Sequence, residues 1–299
     1  MFQRIIAVSL LAAVLLAGGA VWARQSSPAA KPAPQAPEPL SAVKIKDNLY
    51  WLKGGVMANS GFYIGDKTVT VIDVKMTPDG AKAMIETIGR ITPKPIGTII
   101  LTHSDGDHVN GLTAFPAGLR IIASENTAKE MEEAFQDEKM AAYRSYRPTL
   151  TFKSGAEFRP EGLPAQLYNF GPAHTSGDTV VLFPKEKAAF VGDLVFLGRD
   201  PLVHRQKGGT SFGLARNLEE ILKLDADVFI SGHNDPETKA DIRGELKSIQ
   251  AKQAKVKELV DAGKTLDEIK TALGVQTPAN NRWPSLVEVI YLDITEKRF

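Results

Sequence analysis

Residues 98–108 read TIILTHSDGDH, an apolar run followed at once by four side chains that can bind a metal ion. The apolar half is typical of a buried strand. Residues two apart in an extended loop point the same way, so His103 and Asp105 can hold one cation between them. Asp107 and His108 are adjacent and diverge, so they can reach a second cation beside the first. Imidazole and carboxylate together suit zinc, iron or manganese.

Three other segments repeat this design, in which an apolar strand stops at a histidine or an aspartate in a loop that contains glycine. They read LYNFGPAH and end at His174, AAFVGD and end at Asp193, and VFISGH and end at His233. Strand ends on a rigid sheet can hold ligands in fixed geometry. Four of the five histidines of the chain lie in these four loops, which scattered structural histidines would not do. Asp193 suits a bridging position because its carboxylate has one oxygen for each of two ions.

The layout resembles the metallo-β-lactamase superfamily, which has a His-x-His-x-Asp-His loop, then a later His, a later Asp and a final His. The resemblance runs from about Leu49 to the last of these histidines. It implies an α+β fold, namely a four-layer αβ/βα sandwich of two mixed sheets with outer helices and the site at one edge. Carried over position by position, it implies that His103, Asp105 and His174 hold a first metal, that Asp107, His108 and His233 hold a second, and that Asp193 lies between them.

Asp105 stands where the superfamily has its second histidine. Two divalent ions carry four positive charges, and the carboxylates of Asp105, Asp107 and Asp193 carry three negative charges, so one net positive charge remains. The usual ligand set, with a histidine in place of Asp105, leaves two. A bound water would then be less acidic, and a harder oxygen ligand favours manganese or iron. The sequence therefore predicts two divalent ions, zinc by preference, with manganese or iron as alternatives at the Asp105-containing site. A one-metal enzyme is the other interpretation of this departure.

Composition limits the class of partner. The chain has 36 basic and 35 acidic residues, and this balance argues against a nucleic-acid binder, which usually has a basic excess. A small-molecule substrate is expected instead. Hydrophobic residues make up 43% of the chain, enough for a sizeable core. The chain has no cysteine, so thiolate ligands and disulfides are excluded.

The two ends of the chain differ from its middle. Arg4 precedes the apolar run IIAVSLLAAVLLAGGAV, and a small-residue site follows, which is typical of a secretory signal cleaved after Ala23. An uncleaved membrane anchor is the alternative. The signal predicts an exported protein of the bacterial periplasm, with no stable membrane partner after cleavage. The predicted domains are a signal peptide (1–23), a Pro/Ala-rich linker (24–40), a catalytic domain (41–240) and a C-terminal helical extension (241–299).

Hydrophobic periodicity predicts strands and helices in mixed order. Strands are expected at 48–52, 61–65, 68–74, 96–101, 119–123, 166–170, 178–183, 188–191 and 227–231. Helices are expected at 78–91, 126–146 and 218–224. Two more are expected near the end of the chain, one amphipathic over 242–259 and one opened by the capping box at 265–268.

A resemblance at the level of the fold does not fix the substrate. Asp193, in the sequence VGDL, resembles the glyoxalase II, lactonase and phosphodiesterase branches, because the true β-lactamases lack an acidic bridge. The sequence therefore predicts a hydrolase in which metal-bound hydroxide cleaves an ester, thioester or lactone, and in which Asp107 also orients the nucleophile. The alternatives are a periplasmic metallo-β-lactamase, an iron-dependent persulfide dioxygenase and a non-catalytic metal-dependent binding protein. His204, the fifth histidine, is a candidate substrate contact, with an ordinary surface loop as the alternative interpretation.

Overall fold

A computed structural model describes residues 39–55, 57–153, 155, 157–276 and 283–299. The predicted signal peptide and all but the last two residues of the predicted linker lie outside the described residues. Cleavage, export and the linker therefore stay predictions. Among the helices of the described residues, none combines the length and apolar character needed to cross a membrane.

The described residues form twelve strands and seven α-helices. The strands are β1 (Ser41–Lys46), β2 (Leu49–Lys53), β3 (Ser60–Ile64), β4 (Val69–Ile72), β5 (Ile96–Ile100), β6 (Arg120–Ser124), β7 (Leu150–Phe152), β8 (Glu157–Phe158), β9 (Gln166–Tyr168), β10 (Val180–Phe183), β11 (Ala188–Gly192) and β12 (Val228–Ser231). The helices are α1 (Pro78–Gly89), α2 (Gly106–Val109), α3 (Glu125–Ala134), α4 (Ser211–Lys223), α5 (Lys239–Asp261), α6 (Leu266–Ala272) and α7 (Leu286–Thr295). Short 3₁₀ segments cover Leu112–Ala114, Glu138–Tyr146 and Arg205–Lys207.

The strands form two mixed sheets. The first has seven strands in the order β1 to β7, antiparallel up to β4 and parallel from β4 onward. The second has the order β12-β11-β10-β9-β8, and only β11 and β12 run parallel. The prediction of two mixed sheets is confirmed. Because β11 and β12 are parallel neighbours, their carboxyl ends meet at the same edge of the sheet.

Alternate residues of the central strands belong to different apolar clusters, as the two-residue period of a strand requires. In β5, Ile99 packs into a cluster that also contains Met84 and Ile88 of α1. Its neighbour Ile100 packs into a second cluster between the sheets, together with Phe190 of β11. A third cluster lies between the other face of the second sheet and helices α4, α5 and α7. The arrangement of helix, sheet, sheet and helix confirms the predicted four-layer sandwich.

The C-terminal helices belong to the third cluster. Ile242 and Ile249 of α5 are buried there beside Leu218 of α4, and α7 adds Val289 and Ile290. The sequence did not predict α7. Its sequence, LVEVIYLDIT, has apolar residues on several sides, so it shows no clear amphipathic stripe. The boundary predicted at residue 240 stays a prediction, although residues on both sides of it share this cluster.

The long helix predicted over 126–146 is wrong in its second half. α3 ends at Ala134, and the chain continues as a 3₁₀ segment from Glu138. The Asp137 side chain accepts a hydrogen bond from the Lys139 backbone N–H at 2.9 Å, which opens this new segment. The Tyr143 hydroxyl then donates to the Asn110 carbonyl at 2.8 Å and fixes the segment to the neighbouring loop.

Gly61 in β3 allows the two sheets to approach closely. A Cβ atom there would lie 2.1 Å from Cζ of Phe190, which belongs to the opposite sheet. We therefore expect Gly61→Ala to lower the free energy of unfolding by about 1–3 kcal/mol, because the ring has to move within a packed core. Urea denaturation measures the change.

Gly89→Ala is the matched control. A Cβ at Gly89, the last residue of α1, would meet no atom within 4 Å. Alanine also has the higher helix propensity, so we expect stability that is unchanged or slightly increased. Equal losses of stability in the two variants would contradict the close approach at Gly61.

Candidate metal centre

All seven predicted ligands come together at one edge of the two sheets. His103 follows β5, and Asp193 and His233 follow the neighbouring parallel strands β11 and β12. The Gly232 backbone N–H donates to the Gly192 carbonyl at 2.8 Å, which locks the last two of these loops together. Three groups of side chains have ligand atoms within 4.8 Å of one another: His103, Asp105 and His174; His103, His108 and Asp193; and Asp107, His108 and His233.

The first group is centred on one oxygen of Asp105. Its Oδ2 lies 3.1 Å from His174 Nε2 and 3.9 Å from His103 Nε2. His174 Nδ1 lies 2.9 Å from the Leu202 carbonyl, to which it can donate. That bond fixes the ring with its Nε2 atom directed at the site, as metal-binding histidines require.

The other two groups are centred on the carboxylates of Asp193 and Asp107. His233 Nε2 lies 3.1 Å from Asp193 Oδ2 and 3.4 Å from Asp107 Oδ2. His108 Nε2 lies 3.1 Å from the other oxygen of Asp193, Oδ1. Asp193 therefore contacts both histidines, one through each oxygen.

Several buried polar atoms at this edge make no hydrogen bond within the described chain. They are Nε2 of His103, Nε2 of His108 and Oδ1 of Asp193. Leaving such atoms unsatisfied costs about 1–3 kcal/mol each. The chain also leaves room for them, since a Cβ at Gly232 would lie 2.1 Å from Asp193 Oδ1. His108 Nε2 and Asp193 Oδ1 lie 3.1 Å apart but not in hydrogen-bond geometry. Nitrogen and oxygen atoms that converge in this way fit a bound divalent cation.

Asp73 is a site residue that the sequence analysis missed. Its Oδ2 lies 2.7 Å from His108 Nδ1 and accepts a hydrogen bond from the Thr102 hydroxyl at 2.7 Å, and its Oδ1 accepts from the Thr102 N–H at 2.8 Å. The same hydroxyl lies 3.0 Å from His103 Nδ1. Asp73 and Thr102 together orient two of the predicted ligands. The signal for Asp73 was present, because it ends the apolar run VTVID just as Asp193 ends its own strand.

His204 lies beside the first group. Its Nδ1 is 3.1 Å from Asp105 Oδ1, and its ring meets Trp283 edge to face with centroids 4.5 Å apart. The predicted role in substrate contact stays a prediction. Asp178, four residues after His174, accepts hydrogen bonds from the N–H and hydroxyl of Thr175. Burial raises the pKa of Asp178 to about 7.

The site carries protons when no metal is bound. Burial disfavours the charged form of His174, but the hydrogen bond to Asp105 and the charge of Asp193 outweigh burial and raise its pKa to about 9. Burial is likewise outweighed at His108, where the Asp193 and Asp73 carboxylates hold the pKa well above its usual value. Burial, together with the nearby His108, lowers the pKa of His103. For Asp105, hydrogen bonds from His174 and His204 outweigh burial and hold the pKa well below its usual range.

Residues 54–233 match the family described as the metallo-beta-lactamase superfamily, over more than half of the chain. The chain belongs to this superfamily. Its members are mostly hydrolases of small molecules and generally bind divalent metals.

Three curated relatives in this superfamily differ in activity. The chain is 31% identical over 173 residues to the 2,4-dinitroanisole O-demethylase subunit alpha of a Nocardioides species, covering 56% of this chain and 50% of that protein. It is 30% identical over 159 residues to metallo-beta-lactamase IND-1 of Chryseobacterium indologenes, covering 50% and 63%. It is 24% identical over 181 residues to a hydroxyacylglutathione hydrolase of Francisella philomiragia, covering 60% and 63%. The chain thus spans between 50 and 63% of the length of these relatives.

Solved structures of the superfamily share the fold. DIM-1 metallo-beta-lactamase superposes with a TM-score of 0.60 at 18% identity, covering 72% of this chain and 99% of that one. The sec-alkylsulfatase Pisa1 from a Pseudomonas species superposes with a TM-score of 0.70 at 16% identity, covering 85% and 50%. Both likenesses concern the fold alone.

Replacing Asp73 tests its role in orienting His108. Asp73→Asn keeps a side chain that tolerates the left-handed backbone found there, with φ of 55°. The carboxylate of Asp73 accepts hydrogen bonds from the N–H and the hydroxyl of Thr102 and from His108 Nδ1. In the variant, the amide NH₂ would replace one of these acceptor oxygens and would face donors. We expect the affinity for zinc to fall by about 10- to 100-fold, as measured by competition with a chromophoric chelator.

Glu186→Gln provides the matched control for this variant. Glu186 is also a buried carboxylate, but it lies in the turn before β11, at the opposite end of that strand from Asp193. We expect its zinc affinity to equal that of the wild type. Equal losses of affinity in Asp73→Asn and Glu186→Gln would contradict a specific role for Asp73.

Metal binding should release protons. Because the pKa of His174 is raised to about 9, its ring carries a proton at pH 7 and must lose it before Nε2 can bind a cation. The apparent affinity should therefore rise with pH up to about 9. Calorimetric titration in buffers of different ionisation enthalpy counts the protons, and heats that do not depend on the buffer would refute this protonation.

Proposed function

We propose that this protein is a metal-dependent hydrolase that cleaves an ester, thioester or lactone. The observation that carries the proposal is the position of Asp193, whose carboxylate lies within 4.8 Å of ligand nitrogens of both His103, assigned to the first ion, and His108, assigned to the second. A carboxylate in this position can bridge two cations. The hydroxyacylglutathione hydrolase of Francisella philomiragia, to which the chain is similar, supports a carbonyl substrate.

The proposed ligands divide as the superfamily layout implies. His103, Asp105 and His174 would hold a first divalent ion, and Asp107, His108 and His233 a second, with Asp193 between the two sets. Cations held there would make a water molecule acidic and polarise the substrate carbonyl. Two zinc ions are the proposed occupants, with manganese or iron as the alternatives at the first position.

Asp107 is the proposed catalytic residue of the chain. Its Oδ2 lies 3.4 Å from His233 Nε2, and its side chain is 16% exposed whereas that of Asp193 is 4% exposed. Asp107 can therefore reach substrate and solvent while Asp193 remains enclosed. The Asp107 carboxylate accepts a hydrogen bond from the attacking water and orients it toward the carbonyl carbon.

Phe196 packs against His233, and Arg199 packs on Phe196. The Phe196 ring stacks on His233 with centroids 5.6 Å apart, and the Arg199 guanidinium lies 4.5 Å from the centroid of the Phe196 ring. The ring keeps His233 in place and shields its inner face from water.

A second candidate function follows from the first group of ligands. His103, His174 and Asp105 form a set of two histidines and one carboxylate, which is also used by non-haem iron oxygenases. An iron-dependent persulfide dioxygenase would use this group alone. β-Lactam hydrolysis is the third candidate, supported by the 30% identity to IND-1. Export to the periplasm remains part of the proposal, since the described residues do not include the signal.

One panel of assays separates these functions. Protein lacking residues 1–23 is reconstituted separately with zinc, manganese and iron. It is then assayed with thioesters, esters and lactones, with nitrocefin, and for oxygen uptake with glutathione persulfide. We expect hydrolysis of one of the carbonyl substrates by the zinc form. Activity confined to nitrocefin or to oxygen uptake would replace the proposal, and binding without turnover would favour a non-catalytic protein.

Asp107→Asn tests the catalytic residue within that panel. The amide cannot accept the proton of water, and it weakens the second metal position, so we expect kcat to fall by about 100-fold or more. Glu186→Gln, which exchanges a buried carboxylate far from the site, should retain the wild-type kcat. Wild-type turnover by Asp107→Asn would remove Asp107 from the mechanism.

A further inference from the structure

Lys207 lies against Asp105, the residue that departs from the usual motif. Its Nζ donates to Asp105 Oδ1 at 2.6 Å, to the Ser104 hydroxyl at 2.8 Å and to the Ser104 carbonyl at 3.0 Å. An ammonium group has three donors, and all three are used by these contacts. Lys207 therefore has no donor left for a substrate anion, and its partner is the carboxylate of Asp105.

The two oxygens of Asp105 have separate partners. Oδ1 accepts from Lys207 and lies 3.1 Å from His204 Nδ1. Oδ2 faces His174 Nε2 at 3.1 Å and His103 Nε2 at 3.9 Å. Only Oδ2 points into the first ligand group. Asp105 is thus arranged to offer a cation a single oxygen.

The loop that carries Lys207 is fixed to the loop that carries His174. The His204 N–H donates to the His174 carbonyl at 2.7 Å, and the Ser176 N–H donates to the Lys207 carbonyl at 2.8 Å. A Cβ at Gly209 would lie 2.2 Å from the His174 carbonyl oxygen, so the two loops are in direct contact there. This contact places Lys207 in a constant position relative to the ligands.

Helix α7 holds the same loop from its other side. Arg205 makes ion pairs with Asp293 and Glu296, both near the carboxyl end of α7. Asp293 is fully buried and also accepts from the Ser211 N–H at 2.7 Å. An ion pair with a buried partner needs such additional hydrogen bonds. Lys207 is therefore held by the fold and does not move as a free surface lysine would.

We propose that Lys207 makes Asp105 behave as a neutral, single-oxygen ligand and so keeps the first metal position selective for zinc over manganese. The proposal rests on the proposed metal site. The charge of Lys207 offsets that of Asp105 and returns the net charge of the two-ion site from one to two, as in the usual histidine motif. A carboxylate that lacked this partner could use both oxygens and its full charge, which favours a hard ion such as manganese.

The test is a double-mutant cycle on metal selectivity. Dissociation constants for Zn²⁺ and Mn²⁺ are measured by chelator competition for the wild type, Lys207→Met, Asp105→His and the double variant, with metal analysis to assign stoichiometry. We expect Lys207→Met to bind Mn²⁺ more tightly and to lower the zinc-over-manganese ratio by about 10-fold. In the Asp105→His background, the same change at Lys207 should leave the ratio within about 3-fold, since no carboxylate remains to be neutralised.

Lys270→Met is the matched control. Lys270 has a similarly buried side chain, 20% exposed against 24% for Lys207, and it also pairs with a carboxylate, that of Glu288. The zinc-over-manganese affinity ratio of Lys270→Met should equal that of the wild type. A purely structural role for Lys207 would weaken both metals equally and leave the ratio unchanged, which would overturn the proposal. An equal change in the zinc-over-manganese ratio in the wild-type and Asp105→His backgrounds would also overturn the proposal.

The failure of the metal site itself looks different. If the wild type bound neither ion, the proposed function would fall together with this inference. If the wild type bound zinc tightly and Lys207→Met showed the same ratio, the metal site would stand and the role of Lys207 would fall.

Discussion

The site depends on one constraint, which is that buried ionisable groups must find partners. His103, His108 and Asp193 are almost fully enclosed, yet each keeps an atom directed at the same point with no hydrogen bond from the described chain. The two histidines have partners on their other sides, Thr102 for His103 and Asp73 for His108, and the second oxygen of Asp193 faces His233. Burying these polar atoms without hydrogen bonds therefore costs free energy of folding, and the binding of a cation would offset that cost.

Much of this arrangement could be predicted from the sequence because strands impose simple rules. Each of the four loops that carry the predicted ligands comes directly after an apolar run, and parallel neighbours such as β11 and β12 end at the same edge. That rule accounts for the proximity of Asp193 and His233, whereas His103 follows β5 of the other sheet. The four layers followed from the family resemblance.

The features that were missed depend on contacts between distant segments. Asp73 contacts His108 across 35 positions, and Lys207 contacts Asp105 across 102. No local pattern specifies such pairs. Helix α7 was missed for another reason: it is buried on more than one side, so it lacks the polar stripe by which surface helices are identified. The predicted helix over 126–146 failed because Asp137 offers the backbone a competing hydrogen bond.

The link between Arg205 and α7 has a consequence for shortened forms of the chain. Arg205 and Asp293 are 88 positions apart, so a chain that ended before α7 would retain all seven proposed ligands and Lys207 itself. It would lose the ion pairs that hold the Lys207 loop from one side, whereas the contacts of that loop with the His174 loop would remain. Helix α7 thus braces the metal centre without contributing a ligand to it.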